Sequence, residues 1–339
     1  MSHNRTLRSA AVLAAVTALS LTGCSRGAQN TATDTSAGKA SGKKTATLIM
    51  STLNNPFFVS VKNGAEAEAK KSGVQLSVQN ANNSDSVALN LATTAISKQV
   101  GALIIDPVSS QSATSSVSQA NNANTPVLAF DRKPESGKLA SFIGYDAIQA
   151  GRNAADALAK SLNEKGTIVE IQGLLGTNVA QDRSKGFEEQ IAKYPKIKTV
   201  AKQAADFDRA KALDVMTNVL QAHPDIDGVY AANDEMAMGA LAALKSRKLA
   251  GKVQLVGNDG ISDALEAVAA GTMYATNAES PYALGQKVIT LTGNVLDGKT
   301  VPEEETLQGQ LVTKENVKKY ADYLVGIGDS ADVPASLRR

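Results

Sequence analysis

From Thr45 onward, two kinds of apolar pattern alternate along the chain. Short apolar runs at Thr45–Met50, Val74–Val78, Ala102–Ile105 and Pro126–Phe130 read as strands. Between them, Pro56–Ser72, Asp85–Gln99 and Gln111–Ala123 carry apolar residues at helical spacing. Strand–helix–strand alternation predicts a parallel sheet with helices on both faces. Leu139–Ile143 predicts a further short strand, and Gly144-Tyr145-Asp146 a crossing. The pattern then restarts. Helices are expected at Ile148–Leu162, Val179–Tyr194, Arg209–Ala222, Asp234–Lys248 and Ser262–Ala270. The strands of this second half are expected at Thr167–Ile171, Thr199–Ala204, Gly228–Ala232, Val253–Gly257 and Met273–Thr276. A long helix, Pro281–Leu296, and one last strand, Glu305–Leu311, follow, with a loose tail over residues 327–339. The expected fold class is α/β: two doubly wound parallel-sheet domains, one on each side of about Asp146. A cleft between their strand ends is a preferred place for a ligand.

The stretch Ser51–Ser60, STLNNPFFVS, shows what such a cleft would contain. It joins the first strand to the first helix. Pro56 suits a first helical position, because its φ is already helical and its missing N–H would be unpaired there. Asn55 then falls at the N-cap, where a short polar side chain is favoured. Phe57 and Phe58 stand beside it, beyond the carboxyl end of a strand, where open α/β sheets bind ligands. Polar turns follow the other strands: Asp106-Pro107, Asp131-Arg132, Asn233-Asp234 and Asn258-Asp259. Planar polar groups beside phenyl rings suit a sugar or polyol. Carboxylates and carboxamides accept from hydroxyls, an arginine fork donates to two oxygens, and rings cover the C–H faces. Each residue also has a plainer reading. Asp131-Arg132 could be a surface turn, Asn233-Asp234-Glu235 a helix cap, Phe207 core, and Arg183 a solvated helix residue. Several carboxylates at one cleft would also suit a glycosidase pair. However, there is no G-x-S-x-G elbow, no P-loop, and no G-x-G-x-x-G opening a helix after a strand.

Composition narrows the classes further. The 339 residues are 43% hydrophobic and 20% charged, enough for two globular domains. The single cysteine, Cys24, allows no internal disulfide, and His3 and His223 cannot build a His-rich metal site. No cofactor or metal is expected. Residues 1–8 carry Arg5 and Arg8 and no acid, and Ser9–Leu21 is a short apolar run of signal type. It ends in Leu21-Thr22-Gly23-Cys24, which resembles the bacterial lipoprotein cleavage box. That resemblance implies cleavage before Cys24 and its acylation; the alternative is a plain secretory signal. Residues 24–44, rich in Ser, Thr, Ala and Gly, read as a flexible tether. Without Arg5 and Arg8, the 35 basic residues fall to 33, equal to the 33 acidic ones, so nothing in the balance attracts nucleic acid.

From about Thr45 to Leu311 the chain resembles the ribose-binding protein family, the pentose and hexose receptors of bacterial ABC importers. The resemblance rests on STLNNPFFVS, on ADFDR at Ala205–Arg209 and on NDEMAMGA at Asn233–Ala240. It implies two Rossmann-like lobes, residues 45–146 plus 280–308 and residues 147–279 plus 309–326. Three crossings would join them, near Tyr145–Ala147, Ala278–Pro281 and Gln308–Gln310. It implies a monomer with no catalytic step, held outside the cytoplasm, whose lobes close on a monosaccharide and present it to a permease. By position, the sugar contacts would be Ser51, Asn55, Phe57, Phe58, Asp131, Arg132, Arg183, Phe207, Asn233 and Asp259. Three positions depart from the ribose pattern: Asp106 replaces Asn, Asn258 replaces Phe and Glu279 replaces Gln. They too are expected at the ligand, with an altered hydrogen-bond map. Two other readings stay open: a receptor serving a sensor, and the effector domain of a LacI-type repressor. The repressor would need an amino-terminal helix-turn-helix.

Overall fold

The computed structural model describes residues 44–338. The signal segment 1–23, Cys24 and all of the tether but its last residue lie outside them. The first lobe begins with β1 (Thr45–Met50), α1 (Pro56–Ser72), β2 (Gln75–Asn80) and α2 (Asp85–Ser97). It continues with β3 (Ala102–Ile105), α3 (Ser110–Asn122), β4 (Val127–Phe130) and β5 (Ser141–Tyr145). The second lobe holds α4 (Ala147–Ser161), β6 (Lys165–Gln172), α5 (Asn178–Ile191), β7 (Lys196–Ala204) and α6 (Arg209–Ala222). Then come β8 (Gly228–Ala231), α7 (Asp234–Ser246), β9 (Gln254–Asp259), α8 (Ser262–Ala269) and β10 (Ala275–Ala278). Last are α9 (Pro281–Leu296), β11 (Glu304–Leu307), β12 (Gln310–Thr313) and α10 (Val317–Gly326).

The strands form two six-stranded sheets, ordered β11-β5-β4-β3-β1-β2 and β12-β10-β9-β8-β6-β7. All neighbours are parallel except β12, which runs antiparallel to β10. In each sheet the order reverses beside the first strand, between β1 and β3 and between β6 and β8. That leaves a crevice at the carboxyl ends. β3, β4 and β8 are buried along their whole length, which is why they read as continuous apolar runs. The edge strand β7 is mostly exposed and carries Lys196, Lys198 and Lys202, charges that discourage edge-to-edge pairing.

Two helix pairs pack with almost no side chain between them. A Cβ on Gly151 of α4 would lie 2.1 Å from the Arg183 carbonyl of α5, and one on Gly186 would lie 2.0 Å from the Ile148 carbonyl. α1 and α9 meet in the same way at Gly64 and Gly285.

The structure departs from the sequence expectations in three places. The single last strand is two strands, because Gln308-Gly309 cross between the lobes and each half pairs with a different sheet, β11 with β5 and β12 with β10. β9 runs on through Asn258 and Asp259, which pair in register with Asn277 and Ala278 of β10. The tail expected to be loose is packed over residues 327–338. Val333 and Leu337 are buried, and Asp329, 2% exposed, accepts a hydrogen bond from the Ser60 hydroxyl at 3.2 Å. Its few apolar residues are too widely spaced to show a period.

Candidate functional site

The ends of β1, β4, β8 and β9 face each other across the gap between the lobes. They enclose a small cavity of about 20 Å³, well below the roughly 300–1,000 Å³ of small-molecule sites, so the lobes must part somewhat to admit a sugar. Its wall is Asn55, Phe57, Phe58, Asp131, Arg132, Val179, Arg183, Phe207, Asn233 and Asp259. Of these ten, nine are residues singled out from the sequence; Val179 is the addition. A larger groove, of about 850 Å³, runs past Ser110, Lys133, Asp146 and Gln181. Its wall is mostly exposed or half-buried, and the buried charges gather at the smaller cavity.

Local backbone chemistry aims these side chains. Asn55 caps α1, its Oδ1 accepting the Phe57 N–H at 2.8 Å, so the first turn of the helix presents both rings. The rings meet edge to face with centroids 5.3 Å apart. Asn233 caps α7 in the same way, accepting the Met236 N–H. Asp131, Phe207 and Asp259 have positive φ, at 57°, 62° and 126°. Such a backbone is uncommon for side-chain residues and unusual for a ring. These three are among eleven side-chain residues with positive φ in the described residues; most of the others lie in turns away from the cavity.

The two arginines come from opposite lobes. Arg132 lies between two rings, its guanidinium carbon 5.3 Å from the centroid of Phe58 and 5.6 Å from that of Phe207. Its Nη1 donates to the carbonyls of Pro107 and Val108. Asp106 and Asp131 lie 3.9 and 3.8 Å from its Nε. Arg183 donates through Nη1 to the Ala232 carbonyl and through Nη2 to Glu279 Oε2, and lies 3.4 Å from Asp259. Even so, Nε of both arginines, Asp106 Oδ1 and Ser51 Oγ are buried without a hydrogen-bond partner. Unmade bonds of this kind are costly; the two arginines line the cavity, where the hydroxyls of a bound molecule supply the acceptors their Nε–H groups lack.

Burial sets the charge state of the carboxylates. It pushes Asp106 up to about 7, against the opposing pull of Arg132 and with the help of Asp131. Burial also raises Asp131, Asp259 and Glu279, with an arginine opposing in each case. Burial lowers the Arg183 pKa, but Glu279 and Asp259 outweigh it and the net shift is upward.

Ser51, Asp106, Asn258 and Glu279 were expected at the ligand but do not line the cavity. The hydrogen bonds they make are within the protein. The Ser51 N–H donates to Asp106 Oδ2 at 3.0 Å, tying the ends of β1 and β3. Asn258 donates to Asp259 and to Glu279 Oε1 and accepts from Asn277. Neighbouring residues on a strand face opposite ways, so Asp259 reaches the cavity and Asn258 the adjoining strand. Two of the departures from the ribose pattern, Asn258 and Glu279, thus buttress Arg183 and Asp259 from behind.

Paired α/β lobes closed over a buried cavity of rings and fixed charges define a solute-binding protein. The chain belongs to the periplasmic binding protein domain family, which it matches over residues 46–300. It is 41% identical over 278 residues to the ribose import binding protein RbsB of Escherichia coli (strain K12), spanning 81% of this chain and 93% of that protein. An ABC transporter periplasmic solute-binding protein from Actinobacillus succinogenes 130z, solved with bound D-allose, superposes with a TM-score of 0.79 at 33% identity, covering 82% of this chain and 100% of that one. A solute-binding protein from Mycobacterium smegmatis, solved with bound glycerol, gives a TM-score of 0.78 at 35% identity over 82% of this chain and 96% of that one.

Proposed function

We propose that this protein is the receptor of an ABC sugar importer and takes a monosaccharide or polyol into the inter-lobe cavity. One observation carries the reading: the Nε–H groups of Arg132 and Arg183, buried without a protein hydrogen-bond partner, belong to residues of the cavity wall shared with Phe57, Phe58 and Phe207. The rings cover C–H faces, and the charges meet hydroxyls in a site shielded from water. The contacting residues are the nine wall residues expected from the sequence, with Val179 adding an apolar contact. The protein performs no chemical step; it passes the sugar unchanged to the permease. It acts as a monomer outside the cytoplasm, anchored by lipid on Cys24. Support for the anchor is the Leu21-Thr22-Gly23-Cys24 box and the fall of the only cysteine in it.

The test is a thermal-shift and calorimetric screen against D-ribose, D-allose, L-arabinose, xylitol and myo-inositol. At least one should raise the melting temperature by mass action and bind with a Kd of about 1 μM or tighter, about −8 kcal/mol. A flat response to all five, or a chemically altered sugar after incubation, would overturn the reading.

A further inference from the structure

Asp234 is fully buried, yet it does not reach the cavity. Its Oδ2 accepts the N–H of Gly260 at 2.7 Å and of Ile261 at 3.2 Å, and both its oxygens lie within 3.0 Å of the Thr276 hydroxyl. All of these partners are uncharged. Arg183 offers only a longer-range attraction, and burial pushes the Asp234 pKa up to about 6, so the carboxylate is expensive to keep. It is given room at the cost of a side chain: a Cβ on Gly257 would lie 2.1 Å from Asp234 Oδ1. The two N–H groups it holds directly follow Asp259, the wall residue whose φ of 126° is the least accessible to a side-chain residue. A strained backbone persists only where its surroundings over-determine it. Asp234 also follows Asn233, so it joins the turn after β8 to the turn after β9, and each turn carries a wall residue.

We infer that Asp234 is a positioning residue for ligand affinity: it clamps the Gly260–Ile261 turn and thereby holds the Asp259 carboxylate in the cavity. The ligand side of this inference rests on the proposed function. A residue that acts through Asp259 loses its effect on binding once Asp259 is disabled, whereas a residue that merely supports the fold does not.

The experiment is a double-mutant cycle with Asp234→Asn and Asp259→Asn, read by calorimetry with D-ribose, or with the tightest sugar of the panel should D-ribose bind weakly. Asp234→Asn alone should weaken binding about 10-fold or more, and by less than about 3-fold in the Asp259→Asn background. An equal loss of affinity in both backgrounds, or none in either, overturns the inference. Amide hydrogen exchange of the ligand-free protein decides it independently. Asp234→Asn should speed exchange at Gly260 and Ile261 about 10-fold or more relative to α4 amides; unchanged exchange there overturns it as well. If no sugar binds the unmutated protein, the proposed function fails while the exchange result still stands.

Discussion

Arg132 joins the two lobes at the scale of a single side chain: its own turn belongs to the first lobe, and one of its two facing rings, Phe207, to the second. Arg132→Ala removes the cation between these rings and leaves Asp106 and Asp131 buried beside no positive partner from their own lobe. Stranding a buried charge costs about 3–5 kcal/mol, so calorimetry should show sugar affinity falling by roughly 100-fold or more. Asp106 carries a second expectation. An unfolded aspartate titrates near about 3.9, whereas in the fold Asp106 keeps its proton up to about 7. Between those values the native chain binds more protons than the unfolded one. Its contribution to stability is therefore complete below about pH 4 and is lost as pH rises through about 7. The stability of the ligand-free protein should decline between about pH 4 and about pH 7, by at most about 1.4 kcal/mol per pH unit for each such group, seen as a falling melting temperature. Asp106→Asn should flatten part of that decline, and an unchanged slope would contradict the assignment. Asn55, Asp131, Arg132 and Asn233 were legible as site residues because each sits in a turn beyond a strand. Arg183 and Val179 lie one turn apart on α5, where an amphipathic helix offers no mark distinguishing a cavity face from a core face. Arg183 was reached only through resemblance to a family, and Val179 was not reached at all.

At the scale of elements, the placement of Arg183 depends on α4, a helix with no residue on the cavity wall. Gly151 brings the α4 backbone against the Arg183 carbonyl, and Gly186 brings α5 against Ile148. Gly151→Ala puts a methyl group within 2.1 Å of that carbonyl, so α5 must move outward and take Arg183 away from Asp259 and Glu279. Overpacking of this kind costs about 1–3 kcal/mol. Sugar affinity should fall about 10-fold or more, while Gly293→Ala inside α9, where the nearest atom would be 3.9 Å away, should leave affinity unchanged and raise the melting temperature slightly through helix propensity. Equal behaviour of the two variants would refute the coupling. Helix starts were the best-read feature of the chain: Asn55-Pro56 and Ser280-Pro281 place the first residues of α1 and α9 where capping chemistry requires. Strand ends were read less well. Asn258 and Asp259 look like a turn in isolation, and only pairing with Asn277 and Ala278 on β10 makes them strand. The run before and after Gln308-Gly309 looked like one strand because no local signal says that its halves belong to different sheets.

At the scale of the whole molecule, the repeat on either side of Asp146 made two α/β lobes readable, but nothing in the repeat says how the lobes meet. In the structure they meet closed. Asp131, Arg132, Arg183 and Asp259 are each no more than 8% exposed, so no ligand can enter or leave unless the lobes part. The contacts that parting would break lie at the cavity's rim. Ser110 N–H donates to the Gly176 carbonyl at 3.1 Å, Asn178 N–H to Ser110 Oγ at 3.3 Å, and Lys133 N–H to Asn178 Oδ1 at 2.9 Å. All three join a first-lobe residue to a second-lobe residue, and neither Ser110, Lys133 nor Asn178 lines the cavity. Such bonds weigh on the open–closed equilibrium alone. A ligand that binds the closed form pays for closure, and its apparent affinity scales with the closed fraction. Asn178→Ala deletes one bond of the three, worth about 0.5–1.5 kcal/mol. Apparent affinity should therefore weaken by roughly 2- to 10-fold for every sugar alike, with faster dissociation in stopped-flow and no change in the ranking of sugars. Small-angle scattering of the ligand-free variant should show a larger radius of gyration if closure is populated without ligand. A change in sugar ranking would mean that Asn178 acts on the cavity itself, and an unchanged affinity would mean that the rim carries none of the closing energy.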